Sequence, residues 1–194
     1  MQVLVLYAHP VETSFSAAIH QSALKALRSS GHTIDDCDLY AEGFNPVLSR
    51  QERLDYHDLR VNTTHVAGYV DRLRRAEALV LCFPIWSFGP PAILKGFFDR
   101  ILIPGVAFSL NDQGDIKANL QQIRKLAGIV TYGQTRLASV FMGDPPRKYI
   151  SRALKWCGHP RASVTYLAHY NMNKSTDQTR GRFLDRVERV MGNF

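Results

Sequence analysis

Five strand-like runs alternate with segments of helical period along this chain, and nothing else in it restricts the fold so severely. Val3 to Tyr7 is a compact apolar run. After the polar turn His9-Pro10-Val11-Glu12-Thr13-Ser14, Phe15, Ala18, Ile19, Ala23, Ala26 and Leu27 recur at helical spacing, and Gly31 supplies a stop. Thr33 to Leu39 reads as a second, more polar strand, suited to a sheet edge. Tyr40 to Asn62 is long for a connection, and Ser49 with Glu52 has capping-box spacing, so one short helix is expected there. Val66, Tyr69, Val70 and Leu73 mark the helix before the third strand, and Lys125 to Thr131 and Ser163 to Ala168 give the fourth and fifth strands. Between those two, Asp144-Pro145-Pro146 opens a helix with Ile150, Ala153, Leu154 and Cys157 on one face, ended by Gly158. Ser175 and Gln178 read as the capping box of a last helix whose Phe183, Leu184, Val187 and Met191 turn inward. Strands separated by helices imply a parallel α/β sheet covered on both faces. Right-handed crossovers make a doubly wound three-layer sandwich the simplest arrangement.

The third strand carries the most unusual sequence. Leu79 to Phe83 is apolar throughout, as in a strand buried on both faces, and the ladder is expected to break at Pro84. Ile85-Trp86-Ser87-Phe88-Gly89 then places two aromatics in an open turn, and Pro90-Pro91 suits the start of a helix carrying Ile93, Phe97 and Ile101 on one face. A flat ligand could lie against such a turn. Ile103 to Lys117, with Pro104, Gly105 and Gly114, reads as a loop.

The 194 residues suffice for one domain with a substantial core, and no apolar run approaches the roughly 20 residues that span a bilayer. No basic region precedes the first apolar residues, so a secretory signal is not expected. Cys37, Cys82 and Cys157 are few, odd in number and far apart, which suggests a reducing compartment, the cytoplasm. The formal charge of +7 would suit nucleic acid, an acidic membrane surface or a phosphorylated ligand. The basic residues are spread over several segments, with only short pairs such as Arg74-Arg75 and Arg147-Lys148 and no recognition motif, which favours a phosphate-bearing cofactor over a nucleic-acid-binding module.

In a doubly wound sheet, ligands sit beyond the carboxyl ends of the strands near the point where the order reverses. Thr13, Ser14 and Ser16 follow the first strand at a helix start, where free amides, the dipole and hydroxyls together favour an anion. Plain N-capping by Thr13 or Ser14 explains the same residues, and taken alone is the commoner reason for them. His9 could add a donor. Other chemistries fit badly: there is no Gly-x-Gly-x-x-Gly fingerprint and no phosphate-loop Lys motif. Ser87 lacks the Gly two positions earlier that a hydrolase elbow needs, since Ile85 stands there. The seven His residues show no metal-binding spacing.

Ala8-His9-Pro10, Thr13-Ser14-Phe15-Ser16, Asp38-Leu39-Tyr40 with Phe44-Asn45-Pro46, and above all Phe88-Gly89-Pro90-Pro91-Ala92-Ile93-Leu94-Lys95-Gly96-Phe97-Phe98-Asp99-Arg100 resemble the flavodoxin-fold NAD(P)H:quinone oxidoreductases. The resemblance covers the first two thirds of the chain well and the remainder loosely. It implies one flavodoxin-like, flavin-binding domain over residues 1–194, a five-stranded parallel sheet in the order 2-1-3-4-5, and usually a homodimer. It implies an enzyme that takes hydride from NAD(P)H onto flavin N5 and passes it to a quinone or similar acceptor by a ping-pong route. Carried over by position, His9, Thr13, Ser14, Phe15 and Ser16 would hold the flavin's phosphate and ribityl portions. Pro84, Ile85, Trp86, Ser87 and Phe88 would pass along the isoalloxazine ring, and Thr131, Tyr132, Gly133 and Gln134 would close around its polar edge. Phe108 would line the acceptor slot, from the partner subunit in the family.

This sequence departs from the better-known relatives in having Gly133-Gln134 where they have a Gly-Gly pair. Nothing between Thr135 and Asp144 supplies the Tyr and His that assist charge transfer in them, so no catalytic residue is assigned. The long C-terminal extension of the animal enzymes has no counterpart, which leaves FMN open. The His-x-x-x-Thr-Ser-Phe pattern favours FAD. A flavoprotein that serves as an ancillary subunit of a membrane transport system is the rival reading.

Overall fold

The strand-like runs come together as a sheet in which the three central ones bury both faces. In the computed structural model, which describes residues 1–111 and 113–194, β1 (Gln2–Tyr7), β2 (Thr33–Asp38), β3 (Ala78–Ile85), β6 (Lys125–Tyr132) and β7 (Ser163–His169) form one parallel sheet in the order β2-β1-β3-β6-β7. Counted along the chain, that is the expected 2-1-3-4-5. A separate hairpin, β4 (Phe108–Leu110) with β5 (Ile116–Ala118), lies outside it.

Alternate residues of each strand serve opposite layers, as the period of two demands. Val3, Val5, Ala78, Val80, Ala127 and Ile129 pack beneath α1 (Phe15–Ser29) and α8 (Asp177–Met191). Leu4, Leu6, Leu79, Leu81, Leu126 and Val130 pack with α3 (Ala67–Arg75), α4 (Ala92–Ile101) and a composite helix on the other face. That helix runs from α6 (Pro145–Lys148) through a π-helical stretch, Tyr149–Leu154, into α7 (Lys155–Cys157). Gly128 lets it approach the sheet, since a Cβ there would stand 2.5 Å from Ile150 Cδ1. β2 contributes little apolar surface beyond Cys37 and Ile34, as a sheet edge requires.

Several local expectations need correction. β3 does not break at Pro84: its pairing with β1 ends at Cys82, but pairing with β6 continues through Pro84 to Ile85. Residues two apart on a parallel strand address the same neighbour, and Cys82 addresses β1 by accepting from the Ala8 amide. The absent Pro84 donor therefore faces the side on which β1 has already ended, so the proline costs no ladder bond. The segment read as a loop holds the β4–β5 hairpin, whose strands of three residues are too short to show a period. A helix not foreseen, α5 (Arg136–Phe141), is capped by Thr135 through the Ala138 amide. The last helix is capped by Thr176 and Thr179, one position beyond the expected pair, because the Ser175 hydroxyl is taken by His169 Nε2 at 2.9 Å. The capping box of α2 (Arg50–Leu54), Ser49 with Glu52, stands as expected. Among the described residues no helix is long and apolar enough to cross a membrane.

Candidate functional site

The loops after β1, β3 and β6 meet at the carboxyl end of the sheet. The first wall begins at Ser14, which caps α1 by accepting from the Ala17 amide at 3.1 Å. The capping explanation for that hydroxyl is correct, and the anion explanation survives through other groups. Phe15 and Ser16, the first two residues of α1, have amides with no acceptor inside the helix, and the first turn carries no acidic side chain. Beside them lies a groove of 660 Å³ lined by His9, Thr13 and Ser14 and floored by Tyr7 and His20. The Tyr7 hydroxyl is buried there without a hydrogen-bond partner. Its ring stacks on His20 at 4.3 Å, and His20 Nε2 in turn meets Asp36 Oδ1 at 2.8 Å. Burial raises the Tyr7 phenol, which therefore stays protonated and able to donate. The carboxylate of Asp38 is also engaged, accepting from the Tyr40 and Ala41 amides. Glu12 also lines the groove, but an orphan donor, free amides and the engagement of Asp36 and Asp38 suit the phosphate and polyol end of a nucleotide-like cofactor.

The second wall is a tight turn where an open one was expected. The Trp86 amide donates to Gly89 O at 3.0 Å and the Gly89 amide to Trp86 O at 2.9 Å, with Ser87 and Phe88 between them at φ +49° and +58°. Two successive left-handed residues define the primed hairpin turn, usually built from Asn and Gly. Here neither is glycine, and each costs about 1 kcal/mol or more. The turn holds Trp86 44% exposed at the rim, its ring 5.9 Å from that of His9. Phe88 is half-buried, Ser87 is exposed and Pro84 is buried.

The third wall follows β6. Thr131 and Tyr132 are buried, whereas Gly133 and Gln134 are exposed at the rim. The Tyr132 side chain points inward: its hydroxyl donates to Asp144 Oδ1, lies 2.7 Å from the Tyr166 hydroxyl, and its ring stacks on Tyr170 at 4.8 Å. Burial first, and then the bond to Asp144, raise the Tyr132 phenol far above its usual range. What this wall offers a ligand is therefore backbone, Gly133 and the Gln134 side chain. The Asn171 amide ties the loop down by donating to Gln134 O at 3.0 Å.

The predicted residues thus divide. His9, Thr13, Trp86, Ser87, Gly133 and Gln134 reach the rim with their side chains or exposed backbone. Phe15 packs edge-on against His169 at 5.2 Å and near Phe183, so its contribution is its amide, as it is for buried Ser16. Phe108 lies on the hairpin, packs against the α3–α4 layer, and among the described residues forms no ring pair with Trp86 or Phe88. Tyr7, His20, Asp36 and Asp144 were not anticipated. Tyr7 reads as an ordinary strand aromatic, and the pairing of His20 with Asp36 spans two elements with no local signature. No group of three or more His, Cys, Asp and Glu among the described residues could hold a metal ion.

A family profile described as flavodoxin-like fold matches residues 1–190. NAD(P)H dehydrogenase [quinone] 1 of Rattus norvegicus is 32% identical over 156 residues, covering 72% of this chain and 56% of that protein. An uncharacterized NAD(P)H oxidoreductase of Escherichia coli (strain K12) is 27% identical over 175 residues, covering 87% of this chain and 84% of that one. Among solved structures, an NAD(P)H:quinone oxidoreductase from Methanothermobacter marburgensis superposes with a TM-score of 0.83 at 27% identity, covering 100% of this chain and 98% of that chain. The chain spans between 49% and 63% of the length of the first curated relatives it matches.

Proposed function

We propose, from the premise that this chain belongs to the flavodoxin-like fold family, that it is a flavin-dependent NAD(P)H:quinone oxidoreductase. The observation that carries the reading is the strained turn from Trp86 to Gly89, which holds a half-exposed indole between a helix start with an orphan donor and the Gly133-Gln134 loop. Strain of that kind persists where the surroundings over-determine it, most often at binding sites. The names of the relatives supply the donor and acceptor classes.

The residues fit a flavin. The free amides of Phe15 and Ser16, with Thr13, His9 and the Tyr7 hydroxyl, would hold its phosphate and ribityl end. Ile85, Trp86, Ser87 and Phe88 would face the ring, and Thr131, Tyr132, Gly133 and Gln134 would meet its polar edge, largely through backbone groups. A flavin bound there supplies two-electron hydride chemistry, from NAD(P)H to the acceptor in alternating half-reactions. The protein's share is to stack, to exclude water and to present donors where charge grows on the ring. With no Tyr or His exposed after β6, those donors are the amides of the Gly133-Gln134 loop and the Gln134 carboxamide. Leu137 and Phe141, 80% and 88% exposed on α5 just beyond that loop, give the rim the apolar surface that a quinone would prefer. FAD is the favoured flavin, with FMN the alternative, and the protein works in the cytoplasm as a homodimer in which the Phe108 hairpin closes the slot of a second copy.

Extraction of the flavin from purified protein, with its identification and a quinone assay using NADH and NADPH, tests the proposal. The expected result is a yellow protein bleached by a reduced nicotinamide and recoloured by quinone. A preparation that neither contains nor accepts FAD or FMN overturns it.

A further inference from the structure

At the opposite end of the sheet, α7 runs through Gly158 into the amino end of β7, and Gln121 lies just before β6. Gln121 Nε2 donates to Ala118 O at 3.1 Å and Gly158 O at 3.2 Å, fixing the foot of the β4–β5 hairpin to the loop after α7. Between them runs a groove of 660 Å³ lined by Ile116, Lys117, Arg152, Lys155, Trp156 and Pro160, among others. Trp156 is 50% and Ile116 55% exposed. Arg152 and Lys155, on the helix that carries Trp156, line the same groove as the indole. Lys117 borders it from the hairpin. No carboxylate among the described residues lines the groove. Among the described residues none of the three cations forms an ion pair, whereas Arg72, Arg100 and Arg180 all do. The nearby Asp115 carboxylate accepts from Asn111 Nδ2 instead.

We propose that this groove docks an acidic segment of another protein, a stretch of Asp and Glu carrying one apolar or aromatic anchor. The anchor lies on Trp156 and Ile116, and the flanking carboxylates accept from Lys117, Arg152 and Lys155. An exposed indole ringed by guanidinium and ammonium groups has the composition of an interface hot spot, and its charge selects the partner. A bilayer is flat and would leave the concave floor unfilled. Nucleic acid draws its affinity from many phosphate contacts, and three cations supply few. Only an acidic chain with an apolar anchor uses both the floor and the rim. Within one protomer the groove lies at the far end of the sheet from Trp86.

The test uses the full-length protein with whatever flavin it carries. A fluorescein-labelled peptide of Asp and Glu around a central Phe-Leu pair is titrated and followed by anisotropy. The same peptide with Ser in place of Phe and Leu, a single-stranded oligonucleotide of equal charge and phosphatidylglycerol vesicles are run in parallel. The expected result is saturable binding of the Phe-Leu peptide, weakened by roughly tenfold or more in Trp156→Ala and again in the combined K117E, R152E, K155E variant. Lys117, Arg152 and Trp156 are exposed and Lys155 is half-buried, so both variants should keep the visible spectrum of the parent and melt within a few degrees of it. Absence of saturable binding, equal binding of the Ser peptide, undiminished binding by either variant, or tighter binding of the oligonucleotide or vesicles would each overturn the proposal.

Discussion

A tryptophan held 44% exposed at a strand end forfeits burial that a neighbouring core position would have given it. Trp86→Ala should therefore leave thermal stability within a few degrees of the parent while weakening flavin retention by about tenfold or more, the worth of one stacked aromatic face. Parallel melting curves and flavin titrations check this, and an equal loss in both would assign Trp86 to packing. Ser87 carries the complementary information, since its φ of +49° strains any residue but glycine. Ser87→Gly should stabilise the protein by roughly 0.5–1 kcal/mol, the αL relief less the added freedom of the unfolded chain. Unfolding by denaturant would measure it. Behind the third wall, Tyr132→Phe removes the hydroxyl that bonds Asp144 and Tyr166. Asp144, 7% exposed, would be left with a buried carboxylate short of a donor, a cost of about 1–3 kcal/mol. Weaker flavin binding should accompany that loss, because the same bond fixes the approach to Gly133 and Gln134.

At the scale of elements, short α2 is joined to α4 through a buried ion pair. Glu52 Oε1 accepts from Arg100 Nε at 2.7 Å and lies 2.6 Å from Nη2, with the two side chains 8% and 9% exposed. Arg100 also donates through Nη1 to Asn45 O, and Gly96 meets the same segment, where a Cβ would fall 2.2 Å from Pro46 O. Glu52 closes the capping box as well, by accepting from the Ser49 amide at 2.9 Å. Glu52→Ala would strand the guanidinium in the interior and uncap the helix together, so a loss of about 3–5 kcal/mol is expected. Chemical denaturation checks it, and a loss near zero would mean that water reaches Arg100. The capping box was legible because it is local, two residues three positions apart within one turn. Its partner 48 residues away had no such signature. Pro84 misled for a related reason: whether a missing donor matters depends on where the neighbouring strand ends, which no single segment encodes.

Across the whole molecule, the layering was legible because strand and helix alternate over five units, whereas the strand order was implied by the family resemblance. The turns after β1 and β3 that line the candidate site were legible through their composition. The third wall was not, since the inward Tyr132 depends on Asp144, Tyr166 and Tyr170, which reach it from the loop after α5, from β7 and from just beyond β7. The same long-range packing sets how stability responds to acid. His169 ties β7 to α8 and α1, and burial followed by the nearby Arg180 lowers its pKa below the usual 6.5. The unfolded chain then binds a proton that the folded chain refuses, so stability falls as pH drops below 6.5 until the folded imidazole titrates. Glu52 acts in a lower window. Burial alone would raise its pKa, but hydrogen bonds from Ser49 and Arg100 outweigh it and hold the carboxyl below 4.5. Its stabilisation is complete above that value and is lost as pH falls through the folded pKa. Melting temperatures from neutral pH down to about pH 2 should therefore decline in two stages. His169→Gln, whose carboxamide can still meet Ser175, should flatten the upper stage and leave the lower. Glu52→Gln should lower stability at neutral pH and flatten only the lower stage. A single transition that neither substitution moves would place the acid sensitivity in carboxylates elsewhere in the fold.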